Sequence, residues 1–570
     1  MTTKTRAFAA ATALALAAST ALAQAQPAPA PDPHEWWRHE VFYEIYPRSF
    51  ADSDDDGVGD LNGITSKLDY LEELGVGALW ITPCFPSPQV DFGYDVSDYE
   101  QIDPMYGTLA DFDRLVAEGK KRGIRIILDL VVNHTSDRHK WFVESRSSPA
   151  SPKRDWYVWR DGKPDGQPPN NWVALFGSPA WKLDPTTGQY YYHFFYPEQP
   201  DLNWRNPAVE KAVLDVSRYW YERGAAGFRL DAVDTLYEDP ALRDNPLLPG
   251  TDKFGRPKQD ESHNRRLPEV HDALKKLRRV ADQYGAVLVG ETWTNDIDEL
   301  KRYYGSGDEV QLPMDFMFAM VNKLSAPEFR RQVALVEGAG LWPVYVIGNH
   351  DIVRSWNRYG DGVHNDAIAR VLAALYLTLR GTPVMYYGEE LGMENNDPKS
   401  REDVKDPIGQ LGWPLEKGRD GERTPMQWDS TEHAGFSKAT PWLPVPESAR
   451  TRNVAVESAD GSSLLNLYRR LNGLRRSHAA LREGEYVPLA EDDPNVLAYL
   501  RRTKDAAVLV ALNMSASAQT LRAPLASHGV PSGPGQVLIG TARAARTALP
   551  LDAITLRPFE VVIADLTPAR

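Results

Sequence analysis

The chain has 570 residues, 42% hydrophobic and 25% charged, an ordinary globular composition too apolar for a disordered chain. Its formal charge of −15, with no basic run, argues against nucleic acid or an anionic membrane surface as a partner. The single cysteine, Cys84, excludes an intramolecular disulfide and a cysteine-based metal centre, and it reads as a buried structural thiol. The 16 Trp and 25 Tyr, together with many carboxylates, suit sugar binding.

Lys4 and Arg6 precede a small apolar run, Ala7 to Ala18, and Ala21-Leu22-Ala23 resembles a cleavage site. This is a signal-peptide pattern over 1–23, so an exported product, periplasmic or secreted, is expected. Its removal takes away two basic residues and no acids and leaves a charge of −17. Residues 24–35, rich in Ala and Pro, read as a stiff linker. No later stretch reaches about 20 uninterrupted apolar residues, so no membrane span is expected.

Val41 to Tyr46 is a first strand-like run. Asp52-Ser-Asp54-Asp55-Asp56-Gly57-Val58-Gly59-Asp60 follows it. Acidic side chains at alternate positions around a Gly turn look like the start of a calcium loop. Asp52, Asp54, Asp56 and Asp60, with the Val58 carbonyl, could supply oxygens to one structural Ca²⁺ or Mg²⁺. Ile64, Leu68, Leu71 and Leu74 then fall at helical spacing before Gly75. Gly77 to Ile81 is a second strand, Leu109, Phe112, Leu115 and Val116 a second helical stripe, and Ile124 to Val132 a strand buried on both faces. Strand and helix alternate, which argues for parallel strands with crossovers.

From 134 to 204 the alternation breaks in a segment rich in Pro, Gly, Trp and Tyr, too long for a loop and read as an inserted subdomain. It resumes with Asn206-Pro207, an N-cap and N1 pair. Strand candidates follow at Gly227 to Asp231, Val287 to Glu291, Gln311 to Phe318, Val344 to Gly348 and Pro383 to Tyr387. Eight β/α units imply a TIM-type barrel with insertions. Beyond about 487, runs at 496–501, 507–512 and 554–563 have no helices between them and read as a small β-domain.

Barrel enzymes keep their active sites at the C-terminal ends of the strands. There the chain reads Asp129-Leu-Val-Val-Asn133-His134, Gly227-Phe-Arg229-Leu-Asp231, Gly290-Glu291-Thr-Trp293 and Gly348-Asn-His350-Asp351. One strand-end Asp is often only a helix cap. Several carboxylates, two His and one Arg converging on one mouth would be costly to bury without a function.

These four segments, in this order, resemble the four signature regions of the α-amylase superfamily, glycoside hydrolase family 13. Gln199-Pro-Asp201-Leu-Asn203 and Arg423-Thr-Pro-Met-Gln-Trp428-Asp429 are similar to signatures of its oligo-1,6-glucosidase and α-glucosidase branch. The resemblance implies an α/β fold: a (β/α)8 barrel over 36–133 and 205–486, a domain B inserted at 134–204 and an antiparallel C-terminal domain over 487–570. It implies Asp231 as nucleophile, Glu291 as general acid/base and Asp351 as the carboxylate that holds the sugar hydroxyls. Retaining glycosidases need two such carboxyls about 5–5.5 Å apart. Arg229, two residues before Asp231 on a strand, projects to the same face and can hold it ionised, with Asp129 in support.

The resemblance further assigns His134, His350, Asp91, Tyr94 and Gln199 to substrate binding, with Arg423 pairing to Asp91 and walling off the pocket. It also implies a structural metal in the 52–60 loop. A walled pocket means exo-action on short oligosaccharides. Ala232, after the nucleophile, tilts the expected linkage toward α-1,4. The 303–308 segment lacks the charged loop of sucrose isomerases. A transglucosidase, or an oligo-1,6- or sucrose-active enzyme, is the alternative on the same site. A non-catalytic relative is disfavoured by the complete carboxylate set.

Overall fold

In the computed structural model, residues 35–522, 525–530 and 533–567 are described; the leader at 1–23 and the linker up to 34 lie outside them. Eight short segments close into a parallel barrel: β1 (Phe42–Ile45), β2 (Ala78–Ile81), β3 (Arg125–Val131), β4 (Gly227–Asp231), β5 (Val287–Gly290), β6 (Leu312–Asp315), β7 (Val344–Val346) and β8 (Thr382–Tyr386). They pair in chain order around the ring, and β1 pairs with β8 to seal it. Each is the strand expected from its apolar run. The expected 311–318 strand stops at Asp315, because the Asp315 carboxyl accepts from the Phe318 amide and starts the helix Phe316–Ala319.

Side chains alternate along a strand, so every second residue points into the barrel. One inward set, including Phe42, Ala78, Ile127, Val287, Leu312 and Val344, makes an apolar plug. The other faces carry Ile45, Leu79, Leu128, Leu230 and Leu288 into the shell of surrounding helices. Helix Leu109–Lys121 starts at a Thr108/Asp111 capping box, and Pro207–Glu222 starts on the Asn206 side chain with Pro at its first position. The stripe over 64–74 divides at Lys67 into two helices, Leu61–Ser66 and Leu68–Leu74.

The insertion leaves and re-enters the barrel mouth at one point. His134 bridges Asp201, and Leu202 N donates to Asn133 O. Between them lies a three-stranded sheet, Trp159–Arg160, Tyr190–Tyr192 and Trp181–Leu183, around its own aromatic core. A hairpin not foreseen from sequence, Leu247–Thr251 with Pro257–Gln259, leans on it through hydrogen bonds from Gln259 and Arg256 to the Asn171 and Ala174 carbonyls.

The C-terminal sheet is antiparallel: β9 (Glu485–Leu489), β10 (Val496–Arg502), β11 (Ala507–Asn513), then Val561–Asp565, Gly535–Gly540 and Ala548–Leu549. The single run expected at 554–563 is two strands. Ile554–Leu556 pairs with Gln519–Leu521 in a separate sheet, and a left-handed Phe559 (φ 51°) turns the chain into Val561–Asp565.

Two fully buried arginines meet at one barrel helix, Arg501 reaching it from the C-terminal sheet and Arg475 from a neighbouring helix of the barrel. Arg501 Nη1 donates to Thr378 O (2.6 Å) and its Nε and Nη2 to Gly484 O (3.1 and 2.8 Å). Arg475 Nη1 donates to Leu377 O and Leu379 O (3.0 and 2.9 Å). Both therefore cap the last carbonyls of helix Asn365–Thr378, where its dipole favours a cation. Burial pulls Arg501 down to about 10 and Arg475 to about 9, so both stay charged at neutral pH. Arg501→Met leaves buried carbonyls unpaired and is expected to cost about 2–4 kcal/mol, read as a lower denaturant midpoint.

Candidate active site

Register builds the centre. β3 and β4 align Asp129 with Arg229, and both point inward at the C-terminal end of the barrel. Arg229 is 1% exposed and touches three carboxylates: Nη1 meets Asp129 Oδ1 and Oδ2 (both 3.0 Å) and Asp231 Oδ1 (2.7 Å), while Nη2 meets Glu291 Oε2 (2.8 Å). Asp129 has the supporting role expected for it, and Trp80 Nε1 also donates to it at 3.1 Å. Burial pushes the Asp231 carboxyl up, and the Arg229 charge beside it pulls the other way.

After β4 the chain turns sharply. Ala232 adopts φ 48°, in the left-handed region, and its amide donates to Glu291 Oε2 at 2.9 Å. Trp293 Nε1 holds the other oxygen, Oε1, at 2.7 Å, and its ring stacks on Phe316 with centroids 3.9 Å apart. Asp231 and Glu291 are thus fixed by one guanidinium and one backbone turn, and both line a cavity of about 480 Å³.

Asp351 lies in the same cavity between two arginines. Its Oδ1 is 2.9 Å from both Arg419 Nη1 and Arg423 Nη2. Burial opposes its ionisation, but His350 and these arginines hold it well below the usual carboxylate range. Tyr94 lines the cavity and stacks on His350, with centroids 5.5 Å apart and planes within 10°. His134 lines it too, and burial pushes this imidazole down to about 3, so it is neutral. Gln199 is fully buried behind the cavity wall, donating to Asp91 Oδ2 at 3.2 Å and facing His134 Nε2 at 3.1 Å. It positions those two residues. Arg229 and His350 likewise stand behind the cavity surface and act through the groups in front of them.

One expectation is corrected. Arg423 does not pair with Asp91. Its Nε is drawn to His350 O at 2.7 Å, which aims the guanidinium at Asp351. The partner of Asp91 is Arg419, four residues earlier, whose Nη2 lies 2.8 Å from Asp91 Oδ1. Arg419 is itself held by Asp406 (Nε to Oδ2 2.8 Å). The sequence signal was a second arginine in the charged loop Lys417-Gly-Arg-Asp-Gly-Glu-Arg423. The 303–308 segment forms turns that do not line the cavity. Its open side is built by Phe176 and Phe195 of the insertion, Trp293, Val353 and an Ion pair between Lys253 and Glu416 (2.6 Å).

In the 52–60 loop, carboxylate oxygens of Asp52, Asp54 and Asp60 lie within 4.8 Å of one another. Asp56 folds back to accept from the Val58 amide at 2.7 Å, outside that group. Asp60 also accepts from Ser53 N and Oγ and from Gly63 N, so it ties the loop to the next helix. Burial and the neighbouring acids raise Asp54. A set of hard oxygens under mutual repulsion fits a hard divalent cation.

Asp406 is buried, and although burial alone would raise it, Arg419 brings it down to about 2. A depressed carboxyl contributes stability above its unfolded value and loses it as pH falls through the folded one. Asp406→Asn is thus expected to cost about 2 kcal/mol at pH 7, with the gap closing between about pH 4 and 2 in thermal melts.

The family model "Alpha amylase, catalytic domain" matches residues 44–484. A probable alpha-glucosidase of Rhizobium meliloti is 45% identical over 512 residues, covering 86% of this chain and 91% of that one. An oligo-1,6-glucosidase of Heyndrickxia coagulans is 39% identical, covering 84% and 92%. Among solved structures, the alpha-glucosyl transfer enzyme XgtA superposes with TM-score 0.85 at 40% identity (93% and 99% covered). The trehalulose synthase MutB of Pseudomonas mesoacidophila gives 0.83 at 35% (93% and 99%).

Proposed function

The chain belongs to the α-amylase family of glycoside hydrolases, and we propose that it is an exo-acting retaining α-glucosidase that releases glucose from the non-reducing end of short α-1,4-glucosides. The observation that carries this reading is the pair Asp231 and Glu291 on two nitrogens of one guanidinium, in a cavity whose far wall is the Asp91–Arg419–Asp351 chain of ion pairs. Carboxyls gripped by one guanidinium suit the close spacing of retention, not the 6.5–9.5 Å that leaves room for an inverting water. The ion-paired wall leaves no passage for a chain beyond one terminal sugar.

In this reading Asp231 attacks the anomeric carbon while Glu291 protonates the departing oxygen, giving a glucosyl–Asp231 ester and a free aglycone. Glu291 then takes a proton from water, which displaces Asp231 and restores both groups. Three carboxylates surround the single Arg229 cation, which draws the Asp231 and Glu291 carboxyls toward one point of the cavity. Asp351, held ionised, accepts from the sugar hydroxyls and favours the positive charge that develops on the ring. Ala232 lines the cavity, and its small side chain supports the α-1,4 preference. Glucosyl transfer is the second reading, favoured by the aromatic walls of Phe176, Phe195 and Trp293, on which an acceptor sugar can stack.

We also propose a structural Ca²⁺, or Mg²⁺, held by Asp52, Asp54 and Asp60, which relieves their repulsion and pins the loop. The leader pattern at 1–23 is the ground for proposing export.

Incubation with maltose, followed by proton NMR, is expected to show an early excess of α-glucose over its equilibrium share, which then decays by mutarotation; an early excess of β-glucose would overturn retention. Glu291→Gln is expected to lower kcat about 10²–10⁴-fold with the fold intact by circular dichroism. Asp231→Ala should be comparably inactive, and near wild-type turnover in either would sink the assignment. Stripping with EDTA should lower Tm and Ca²⁺ should restore it; a metal-free preparation melting unchanged counts against the ion.

A further inference from the structure

Glu44 sits in the middle of β1, fully buried, and pairs across the sheet with Trp80 and Tyr386. Its Oε1 accepts from the His350 amide at 3.2 Å and lies 2.6 Å from His350 Nδ1. Its Oε2 is buried without a hydrogen-bond partner. His350 Nε2, on the other side of the ring, lies 2.7 Å from the Tyr94 hydroxyl and 3.2 Å from Asp351 Oδ2.

The protons can be placed by elimination. Tyr94 has one hydroxyl hydrogen and, besides Arg229 Nη1, which can only donate to it (3.4 Å), two neighbours that could take that hydrogen: His350 Nε2 and Asp129 Oδ2, the latter at 3.1 Å. If Nε2 carried no proton, that hydrogen would go to the ring. The phenol oxygen would then face the Asp129 carboxylate, and the Nε2 lone pair would face the Asp351 carboxylate, both repulsive. With the proton on Nε2, the ring donates toward Tyr94 and Asp351, and Tyr94 donates to Asp129. Nε2 is therefore N–H.

One proton remains in the 2.6 Å contact, on Nδ1 or on Glu44. On Nδ1 it would make a fully buried imidazolium near Arg229, Arg419 and Arg423, and leave Glu44 a carboxylate with one bare oxygen. On Glu44 the bare atom is the weaker carbonyl acceptor of a neutral acid, which costs less to bury. Burial works in the same direction on both partners, raising Glu44 and lowering His350.

We propose that Glu44 is a neutral carboxylic acid that donates to His350 Nδ1, locks the imidazole as its Nε2–H tautomer and so aims a donor at Asp351. Glu44 touches no substrate and is a positioning residue. The proposal rests on the reading of Asp351 as the sugar-holding carboxylate.

The test is the infrared difference spectrum of the wild-type protein minus Glu44→Gln at pH 7, without substrate. The expected result is a protonated-carboxyl C=O band, absent from the variant and shifted in D₂O; no such band overturns the proposal. The readout needs no turnover, so it stands apart from any failure of the hydrolase reading. In kinetics, Glu44→Gln retains a donor to Nδ1 and is expected to keep kcat within a few-fold, with an unchanged pH profile. Glu44→Leu removes the donor and should lower kcat about 10²-fold. A shifted acid limb in Glu44→Gln would mean that an ion pair had been lost, and would overturn the neutral assignment.

Discussion

One buried guanidinium organises the catalytic end of this barrel. Arg229 has no solvent to stabilise it, so its charge must be met by carboxylates, and it is met by three. The barrel register puts Asp129 directly beside it, and the strand period puts Asp231 two residues on, on the same face. Glu291 arrives from β5 on the opposite flank, and the left-handed turn at Ala232 fixes it from the backbone. Trp80 and Tyr94 close over the cation, 5.1 and 5.8 Å from its centre. A buried cation that loses a partner is strongly destabilising, so catalytic geometry and barrel stability are one constraint here.

A second pair of arginines defines how deep the site is, and these come from a long segment without regular periodicity. That segment is not free-standing. Ser49 Oγ donates to Arg423 O, Met426 N donates to Ser49 O, and Trp442 Nε1 donates to Ser49 Oγ at 2.9 Å. Asp52 N donates to Phe436 O, and Lys438 pairs with Asp55. At Gly57 (φ 93°) a Cβ would come within 2.3 Å of Thr440 O, so only glycine allows the acidic loop to lie this close. The acidic loop and the arginine loop are therefore one packed unit.

This division explains what was legible in the sequence. The eight barrel strands are parallel and buried on both faces, so each reads as a continuous apolar run. The polar residues at their ends stand out against that background, and Asp231, Glu291 and Asp351 all reach the cavity. Arg419 was not legible because its partner is set by how a loop folds back, and two arginines four residues apart look alike on paper. Arg423 lost the Asp91 contact to a backbone carbonyl, His350 O, which sequence does not display. Glu44 was hidden for the opposite reason. It interrupts an apolar strand, where one acid reads as noise until the register shows that it lies under His350.

The cavity is asymmetric in a way that bears on what enters it. Its closed end is held by side chains bound to one another: Asp91, Arg419, Asp406, Asp351 and Arg423 form a chain in which every charge is shared. Opening it means separating buried ion pairs, which is costly. Its open end is apolar and spans three segments far apart in sequence, with the Lys253–Glu416 pair bridging the rim. Lys253 is more than half exposed there, and an exposed pair is worth little. The closed end of the cavity is thus electrostatic and cross-braced, whereas the open end offers the aromatic faces of Phe176, Phe195 and Trp293. In the proposed glucosidase, discrimination falls on the terminal residue, and tolerance toward the leaving group follows from the same construction.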